Sequence, residues 1–283
     1  MKEIFTMWRD VRMVALAVVI AAIYTAASIP SKGLVLVPGF TEIRPGVALP
    51  VALSLMFGPA AAWGAAIGNL VGDAFGGTLT WGSPFGFLGN FFMGLVGYKL
   101  WGNLGRLSSG EEPTMRSVRQ VAEYLVVALV TALGTASIIG WGLDTIGVFP
   151  FSVIATIIGV NNFVAAAVIG PVLLYVLYGP AVRARMTYPA VMDEADLPDV
   201  PPGRGRLAAW GIVAVSVGWF VVGVLVSVVV DDVPLGTMPG GDVDVVGGSP
   251  VEIVGGAVAL LALVGLFVRS GERLSSMQRS ERE

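Results

Sequence analysis

The sequence contains no cysteine and no histidine among its 283 residues. These absences exclude disulfide bridges, thiol nucleophiles, cysteine or histidine metal sites and a histidine general base. Charged residues are also scarce, because they form 13% of this chain and about 25% of a typical soluble domain. Hydrophobic residues form 55%, and the mean hydropathy is +0.81. This composition indicates an all-α integral membrane protein.

Several functional motifs are missing as well. No Gly-x-x-x-x-Gly-Lys-Ser/Thr sequence occurs, so the chain has no P-loop for ATP phosphates. Neither the Gly-x-Ser-x-Gly elbow nor the His-Glu-x-x-His zinc motif is present. The sequence therefore gives no support for an enzyme and predicts no cofactor. If the chain is a transporter, its energy must come from separate ATPase subunits or from an ion gradient.

Long uncharged runs predict the membrane spans, since about 20 apolar residues in a helix cross a bilayer. Six runs qualify: Met13–Ile29, Gly82–Tyr98, Tyr124–Leu143, Phe149–Val182, Leu207–Val230 and Val251–Val268. Between the first two lies Pro45–Gly72, which is also uncharged. As one helix it would be about 42 Å long, too long for a single upright span. It contains Gly58-Pro59, which is typical of a turn.

The positive charges favour two helices in this segment, a short one at about 46–57 and a longer one at about 60–78. The chain then has eight spans, and fifteen of the seventeen Lys and Arg residues lie on the side of both termini. Positive charges concentrate in cytoplasmic segments. We therefore predict eight spans in the plasma membrane with both termini cytoplasmic. The predicted organisation is a six-span core at 1–182, a cytoplasmic linker at 183–206, and a two-span hairpin with an acidic outer loop and a cytoplasmic tail at 207–283.

Polar residues inside apolar helices are the first candidates for a site. Asn69 and Asp73 lie one helical turn apart, and a carboxylate at the centre of a bilayer costs roughly 2.5–3.5 kcal/mol. Asn90, Asn161 and Asn162 also lie within predicted spans. Such residues line a wet cavity or form hydrogen bonds between helices. For Asp73, a solvated or capping carboxylate is a further interpretation.

Other features have two interpretations each. The loop Pro30–Pro45, which contains Glu42 and Arg44, is a lid over an outward cavity or a plain connection. Trp81 and Trp141 lie near outer helix ends, where they stack on a flat ligand or anchor the helices at the interface. In the first span, Ala17/Ala21 and Ala22/Ala26 are small residues four apart. They form a docking face for a partner subunit or an internal helix contact.

The segments Arg44-Pro-Gly, Phe57-Gly-Pro and Gly68-Asn-Leu-Val-Gly-Asp73 carry a family resemblance. With six core spans, a Pro-rich first outer loop and the alanine face, they resemble the substrate-binding S component of energy-coupling factor (ECF) importers. The resemblance covers about residues 10–182. The C-terminal hairpin departs from the usual six-span pattern, so its role stays open.

The resemblance implies uptake of a vitamin or related micronutrient. It also implies a transmembrane T component and two cytoplasmic ATPase subunits as partners. The alanine face would contact the T component. The motif residues Gly58, Pro59, Asn69 and Asp73 would brace the fold. By the same resemblance, the substrate-binding candidates are Glu42, Arg44, Trp81, Asn90, Trp141, Asn161 and Asn162.

Two other functions stay open at this stage. The first is an ion-coupled secondary transporter, in which Asp73 or Glu123 is the coupling carboxylate. The second is a membrane scaffold without transport activity, in which the polar residues only join helices. The sequence alone does not identify the substrate.

Overall fold

A computed structural model describes residues 1–31, 35–37, 41–42, 45–197, 202–233 and 247–280. Two short strands, β1 (Val35–Val37) and β2 (Thr41–Glu42), pair antiparallel. The helices in these ranges are α1 (Glu3–Thr6), α2 (Val11–Ser31), α3 (Ala48–Phe57), α4 (Pro59–Phe75), α5 (Ser83–Leu100), α6 (Val118–Thr145), α7 (Phe151–Arg183), α8 (Tyr188–Val191), α9 (Pro202–Val229), α10 (Pro250–Arg269) and α11 (Leu274–Ser280).

Apart from the short β1–β2 pair, the regular structure of the described residues is helical, as the prediction of an all-α protein requires. Five segments are long and apolar enough to cross a membrane: Val11–Pro30, Val118–Thr145, Phe151–Val191, Arg204–Val229 and Pro250–Met277. The remaining long helices, α3, α4 and α5, pack mainly inside the bundle. Helix α3 has ten residues, so it is about 15 Å long, half the thickness of the hydrocarbon core.

Local sequence signals set several helix boundaries. The hydroxyl of Ser117 accepts a hydrogen bond from the Gln120 amide, and the Gln120 side chain bonds back, which forms a capping box at the start of α6. Ser249 caps α10 through its own hydroxyl, and Pro250 follows in the first turn, where its missing N–H has no cost.

The predicted break at Gly58-Pro59 is confirmed. Helix α3 ends at Phe57, α4 begins at Pro59, and Gly58 has a φ of 48°. Only glycine adopts this conformation without strain. The Tyr188 ring lies so close that a Cβ at position 58 would be 2.7 Å from its Cγ. Residue 58 must therefore be glycine both for its backbone angle and for this contact.

Helices α2 and α4 approach each other very closely. A Cβ on Gly64 would lie 2.7 Å from the Ile20 Cβ, and one on Gly68 would lie 2.7 Å from the Ala21 carbonyl oxygen. Small residues permit such contacts in membrane bundles, where dispersion forces hold helices together. Ala17 and Ala21 are buried in this contact. Their prediction as partner-docking residues is therefore wrong, because they face α4. Ala22 and Ala26 are exposed on the other side of α2.

Contacts between helix ends define the two ends of the bundle. At one end, which we call the basic end, Lys99 meets Glu3, the Arg273 side chain donates to the Gly102 carbonyl oxygen, and Arg206 lies against Gly105. At the other end, which we call the site end, the α4–α5 turn packs on the α6–α7 turn. A Cβ on Gly82 would lie 2.6 Å from the Leu143 side chain.

The C-terminal helices α9 and α10 pack on the core through polar contacts as well as apolar ones. The Trp141 indole N–H donates to the Ile253 carbonyl oxygen at 3.1 Å. The Gly248 amide donates to the Asp144 carbonyl oxygen at 3.1 Å, and the Ser152 amide donates to the Ser227 hydroxyl at 3.2 Å. These bonds fix the hairpin against α6 and α7 at the site end.

A buried ion pair joins the N-terminus to α5 at the basic end. Lys99 Nζ lies 2.6 Å from Glu3 Oε1, and the N-terminal nitrogen lies 2.9 Å from Glu3 Oε2. The side chains of Glu3 and Lys99 are both fully buried. Burial opposes ionisation of Glu3, but Lys99 and the N-terminal ammonium group outweigh it and hold the pKa of this carboxyl below its usual value.

We expect Glu3→Gln to destabilise the protein by about 3 kcal/mol, because it removes the carboxylate that is paired with the buried Lys99. The lowered pKa means that the Glu3 carboxylate stabilises the fold fully above about pH 4.3 and less as pH falls through its folded pKa. The difference in melting temperature between the wild type and Glu3→Gln should therefore shrink in acid. The exposed variant Asp193→Asn is the control. A difference that is constant across pH would contradict the ion-pair argument.

Candidate functional site

The segment Gly68–Asp73 contacts three parts of the bundle at the site end. The Thr25 hydroxyl of α2 donates to the Gly68 carbonyl oxygen at 2.9 Å. The Asn69 side chain faces α5, where a Cβ on Gly86 would lie 2.8 Å from its Nδ2. Asp73 reaches the α4–α5 turn. One short segment therefore connects α2, α5 and the turn between α4 and α5.

Asp73 is tied into the α4–α5 turn. Its Oδ2 accepts a hydrogen bond from the Ser83 hydroxyl at 3.0 Å and a longer one from Asn69 Nδ2 at 3.4 Å. Its Oδ1 accepts from the Thr78 hydroxyl at 3.3 Å. Three donors satisfy the carboxylate, so the geometry supports the bracing role expected for Asn69 and Asp73.

Asn90 lies in α5 next to this segment, and its side chain is buried at 4% exposure. The Tyr24 hydroxyl donates to Asn90 Oδ1 at 2.7 Å, and Asn90 Nδ2 donates to the Gly86 carbonyl oxygen at 2.8 Å. A carboxamide has two N–H donors and two lone pairs on its oxygen. These two bonds use one of each, so the second N–H and the second lone pair have no partner among the described residues.

Asn162 lies in α7 and is buried, whereas the adjacent Asn161 is partly buried. Gly159, one turn before Asn162, packs on Ala136 of α6. The neighbouring Thr135 donates to the Gly89 carbonyl oxygen, beside Asn90 in α5. This chain of contacts places Asn90 and Asn162 in the same layer of the bundle.

The two predicted tryptophans have different environments. Trp81 is 87% exposed in the α4–α5 turn, so its ring is accessible for stacking. Trp141 instead packs edge-on against Phe85 and Trp219, and its N–H bonds to α10. These contacts place Trp141 at the interface between the core and the hairpin, and its role in substrate binding stays a prediction.

The first outer loop is described only in part. The backbone of Glu42 belongs to β2, which pairs with Val35 of β1. The Glu42 side chain and the whole of Arg44 lie outside the described residues. The end of the loop is described at Gly46, where a Cβ would lie 3.3 Å from the Ala27 side chain. The loop thus returns to the bundle on the last turns of α2.

Glu123 lies at the basic end, far along α6 from these residues. Its carboxylate accepts hydrogen bonds from the Gly102 amide at 2.7 Å, the Ser109 amide at 2.6 Å and the Ser109 hydroxyl at 2.8 Å. Backbone and hydroxyl donors of one loop surround this carboxylate. Its contacts therefore explain a structural role in closing the α5–α6 connection.

The model of the QueT transporter family matches residues 14–179, which is more than half of the chain. The chain belongs to the QueT transporter family. This membership confirms the resemblance to ECF S components and a role in transport rather than enzymatic catalysis. The match ends within α7, so α9 and α10 lie outside the family segment. Neither the curated proteins nor the solved structures gave a match.

Sequence reasoning missed three residues of the site within this family segment: Tyr24, Ser83 and Gly86. Tyr24 carried a weak signal, as a hydroxyl-bearing residue within an alanine-rich apolar helix. Ser83 and Gly86 gave none, because their roles depend on the distance between α4 and α5.

We expect Gly68→Ala to destabilise the protein by about 1–3 kcal/mol, the usual cost of overpacking. Its new methyl group would meet the Ala21 backbone, which cannot rotate away. Gly72→Ala on the same helix is the matched control, since nothing lies within 4 Å of its added Cβ. It should be neutral or stabilising by up to about 1 kcal/mol. Equal melting temperatures for the two variants would contradict this packing argument.

Proposed function

We propose that this chain is the substrate-binding subunit of an ECF importer for a queuosine precursor in the plasma membrane. Its partners are a transmembrane T component and two cytoplasmic ATPase subunits. Family membership supports the S-component role, and the family's association with a queuosine precursor supports this substrate. Queuosine precursors are deazaguanine bases, which are flat and carry a ring carbonyl beside ring and exocyclic N–H groups.

The observation that carries this proposal is the Asn90 carboxamide, which is buried within the bundle. A carboxamide presents a donor and an acceptor side by side, and this pair matches the edge of a purine-like base. Trp81 offers an exposed ring for stacking in the α4–α5 turn. Asn90, Trp81 and Asn162 are the binding residues that we propose, together with Glu42 and Arg44 of the first outer loop. Asn161, partly buried beside Asn162, stays a candidate.

The proposed topology has eight spans, with the basic end in the cytoplasm. The basic end gathers Lys99, Arg206 and Arg273 with the N-terminal segment. Cytoplasmic segments are enriched in such charges. The site end, with Asn90 and the first loop, would then face outward, as an importer requires. We also propose the three units predicted from the sequence, which are the six-span core, the linker at 183–206 and the C-terminal hairpin.

The proposed contact with the T component is the exposed face of α2. Ala22 and Ala26 lie on this face, where their small side chains allow another helix to approach closely. Ala17 and Ala21 pack internally on α4, so they hold α2 in place rather than forming the contact.

An ion-coupled transporter gains no support from Glu123 or Asp73, the two alternative coupling carboxylates. Glu123 accepts three hydrogen bonds from one loop, and Asp73 accepts three from the α4–α5 turn and Asn69. A coupling carboxylate must exchange its ion during transport, whereas these carboxylates brace their surroundings.

Ligand binding tests the proposed substrate. We expect the aminomethyl-substituted deazaguanine base to raise the melting temperature of the purified protein, because a ligand at about 100 times its Kd stabilises by about 2.7 kcal/mol. Asn90→Ala should lose most of this shift. Asn103→Ala is the matched control, since Asn103 is also buried but bonds to Lys99 and Gly271 at the basic end. A shift with a vitamin and none with the deazaguanine base would reject the proposed substrate.

Association tests the docking face. The double variant Ala22→Trp/Ala26→Trp should lose co-purification with the T component and ATPases while it still binds the base. The bulky rings prevent close helix approach but lie on the surface opposite Tyr24. Ala262→Trp on exposed α10 is the control and should retain the complex. Uptake that continues without the ATPase subunits would refute an ECF mechanism.

A further inference from the structure

Tyr24 stands out because it belongs to the helix that carries the proposed docking face, yet it contacts the proposed binding residue. Its side chain is buried at 3% exposure, and its ring lies against Gly68, where a Cβ would be 3.1 Å from Tyr24 Cδ1. Its hydroxyl donates to Asn90 Oδ1 at 2.7 Å. The close approach of α2 to α4 at Gly68 is therefore what brings the hydroxyl to α5.

The Asn90 side chain needs this contact to hold one orientation. Rotation about the last torsion of an asparagine is soft, with broad energy wells. The Gly86 carbonyl oxygen can only accept, so it requires an N–H of Asn90 to point at it. The Tyr24 hydroxyl holds the opposite side of the same carboxamide. With both contacts, the second N–H of Asn90 has a fixed direction.

We propose that Tyr24 is a positioning residue that sets substrate specificity by holding the Asn90 carboxamide. This inference rests on the proposed function, in which Asn90 meets the base. The second N–H of Asn90 donates to the ring carbonyl of a deazaguanine base. An adenine-type base has an amino group in place of that carbonyl, so it cannot accept this hydrogen bond and should bind more weakly.

The variant Tyr24→Phe removes the hydroxyl and retains the ring on Gly68. A hydrogen bond of this kind contributes about 1 kcal/mol, so affinity for the deazaguanine base should fall about fivefold. Affinity for the corresponding deazaadenine base should stay within about twofold, because it does not use this donor. The preference for the guanine-type base is the ratio of these two affinities. It should therefore fall by about the same factor as the affinity for the deazaguanine base.

Tyr124→Phe is the matched control. The Tyr124 hydroxyl is also buried and donates to one backbone oxygen, that of Ala166 at 3.2 Å, on the face between α6 and α7. Both variants remove a buried hydroxyl that donates a hydrogen bond, so thermal stability should fall in both. Only Tyr24→Phe should change the ratio of the two affinities. In an Asn90→Ala background, Tyr24→Phe should have no further effect on binding, because the group that it positions is gone.

The experiment measures the dissociation constants of both bases by calorimetry. The proteins compared are the whole chain, Tyr24→Phe, Tyr124→Phe, Asn90→Ala and the double variant Tyr24→Phe/Asn90→Ala. If Tyr24→Phe weakened the binding of both bases equally, or left the ratio of the two affinities unchanged, the positioning role alone would be overturned. A Tyr24→Phe substitution that still weakens binding after Asn90→Ala would overturn the positioning role as well. A wild-type protein that binds neither base, or binds both equally, would overturn the proposed substrate and this inference with it.

Discussion

The close contact between α2 and α4 is the constraint on which the site depends. Lipid offers no hydrophobic force to press two apolar helices together, so the contact depends on close packing of small residues. Gly64 and Gly68 provide it, because each lacks the Cβ that would collide with α2. Gly94 allows the same approach between α4 and α5, where Ala62 fills the space that its side chain would occupy. The three helices thereby form one closely packed unit around Asn90.

This unit explains why Asn90 and Asp73 can lie among apolar helices. Each carboxamide or carboxylate finds donors or acceptors on a neighbouring helix or turn: Asn90 on Tyr24 and Gly86, and Asp73 on Ser83 and Thr78. A buried polar group without such partners would cost several kcal/mol. The same bonds that lower this cost also fix the side chains, and a binding site requires groups with fixed directions.

Periodicity and charge predict the helices because membrane helices satisfy all backbone hydrogen bonds within one segment. The break at Gly58-Pro59 follows from local chemistry, and the sequence shows it directly. Sequence spacing does not predict which face of α2 packs inside the bundle. Ala17 and Ala21 have the same spacing as Ala22 and Ala26, but the first pair faces α4 and the second faces outward. Only the position of Gly64 and Gly68 on a neighbouring helix distinguishes them.

The environments of Trp141 and Tyr24 also depend on neighbouring helices, so the sequence does not predict them. A tryptophan near a helix end predicts an interfacial anchor or a stacking surface. The hairpin decides its role, because Gly256 of α10 leaves space for the indole and Ile253 accepts its N–H. Tyr24 is the opposite case, since its sequence context shows an ordinary apolar helix and its hydroxyl gains a role only when α5 lies beside α2. Side chains that act across helices depend on the packing of glycines far away in sequence.

The arrangement of α2 has a consequence for transport. Its exposed alanines and its buried tyrosine lie on opposite sides of one helix, so any rotation or tilt of α2 moves both. A partner that binds the outer face more tightly in one tilt shifts the population of that tilt. Because Tyr24 reaches Asn90 through a single hydrogen bond, a shift of about 1 Å would lengthen it beyond hydrogen-bonding distance. In the function proposed above, docking at Ala22 and Ala26 and ligand release at Asn90 would be two effects of one helix movement.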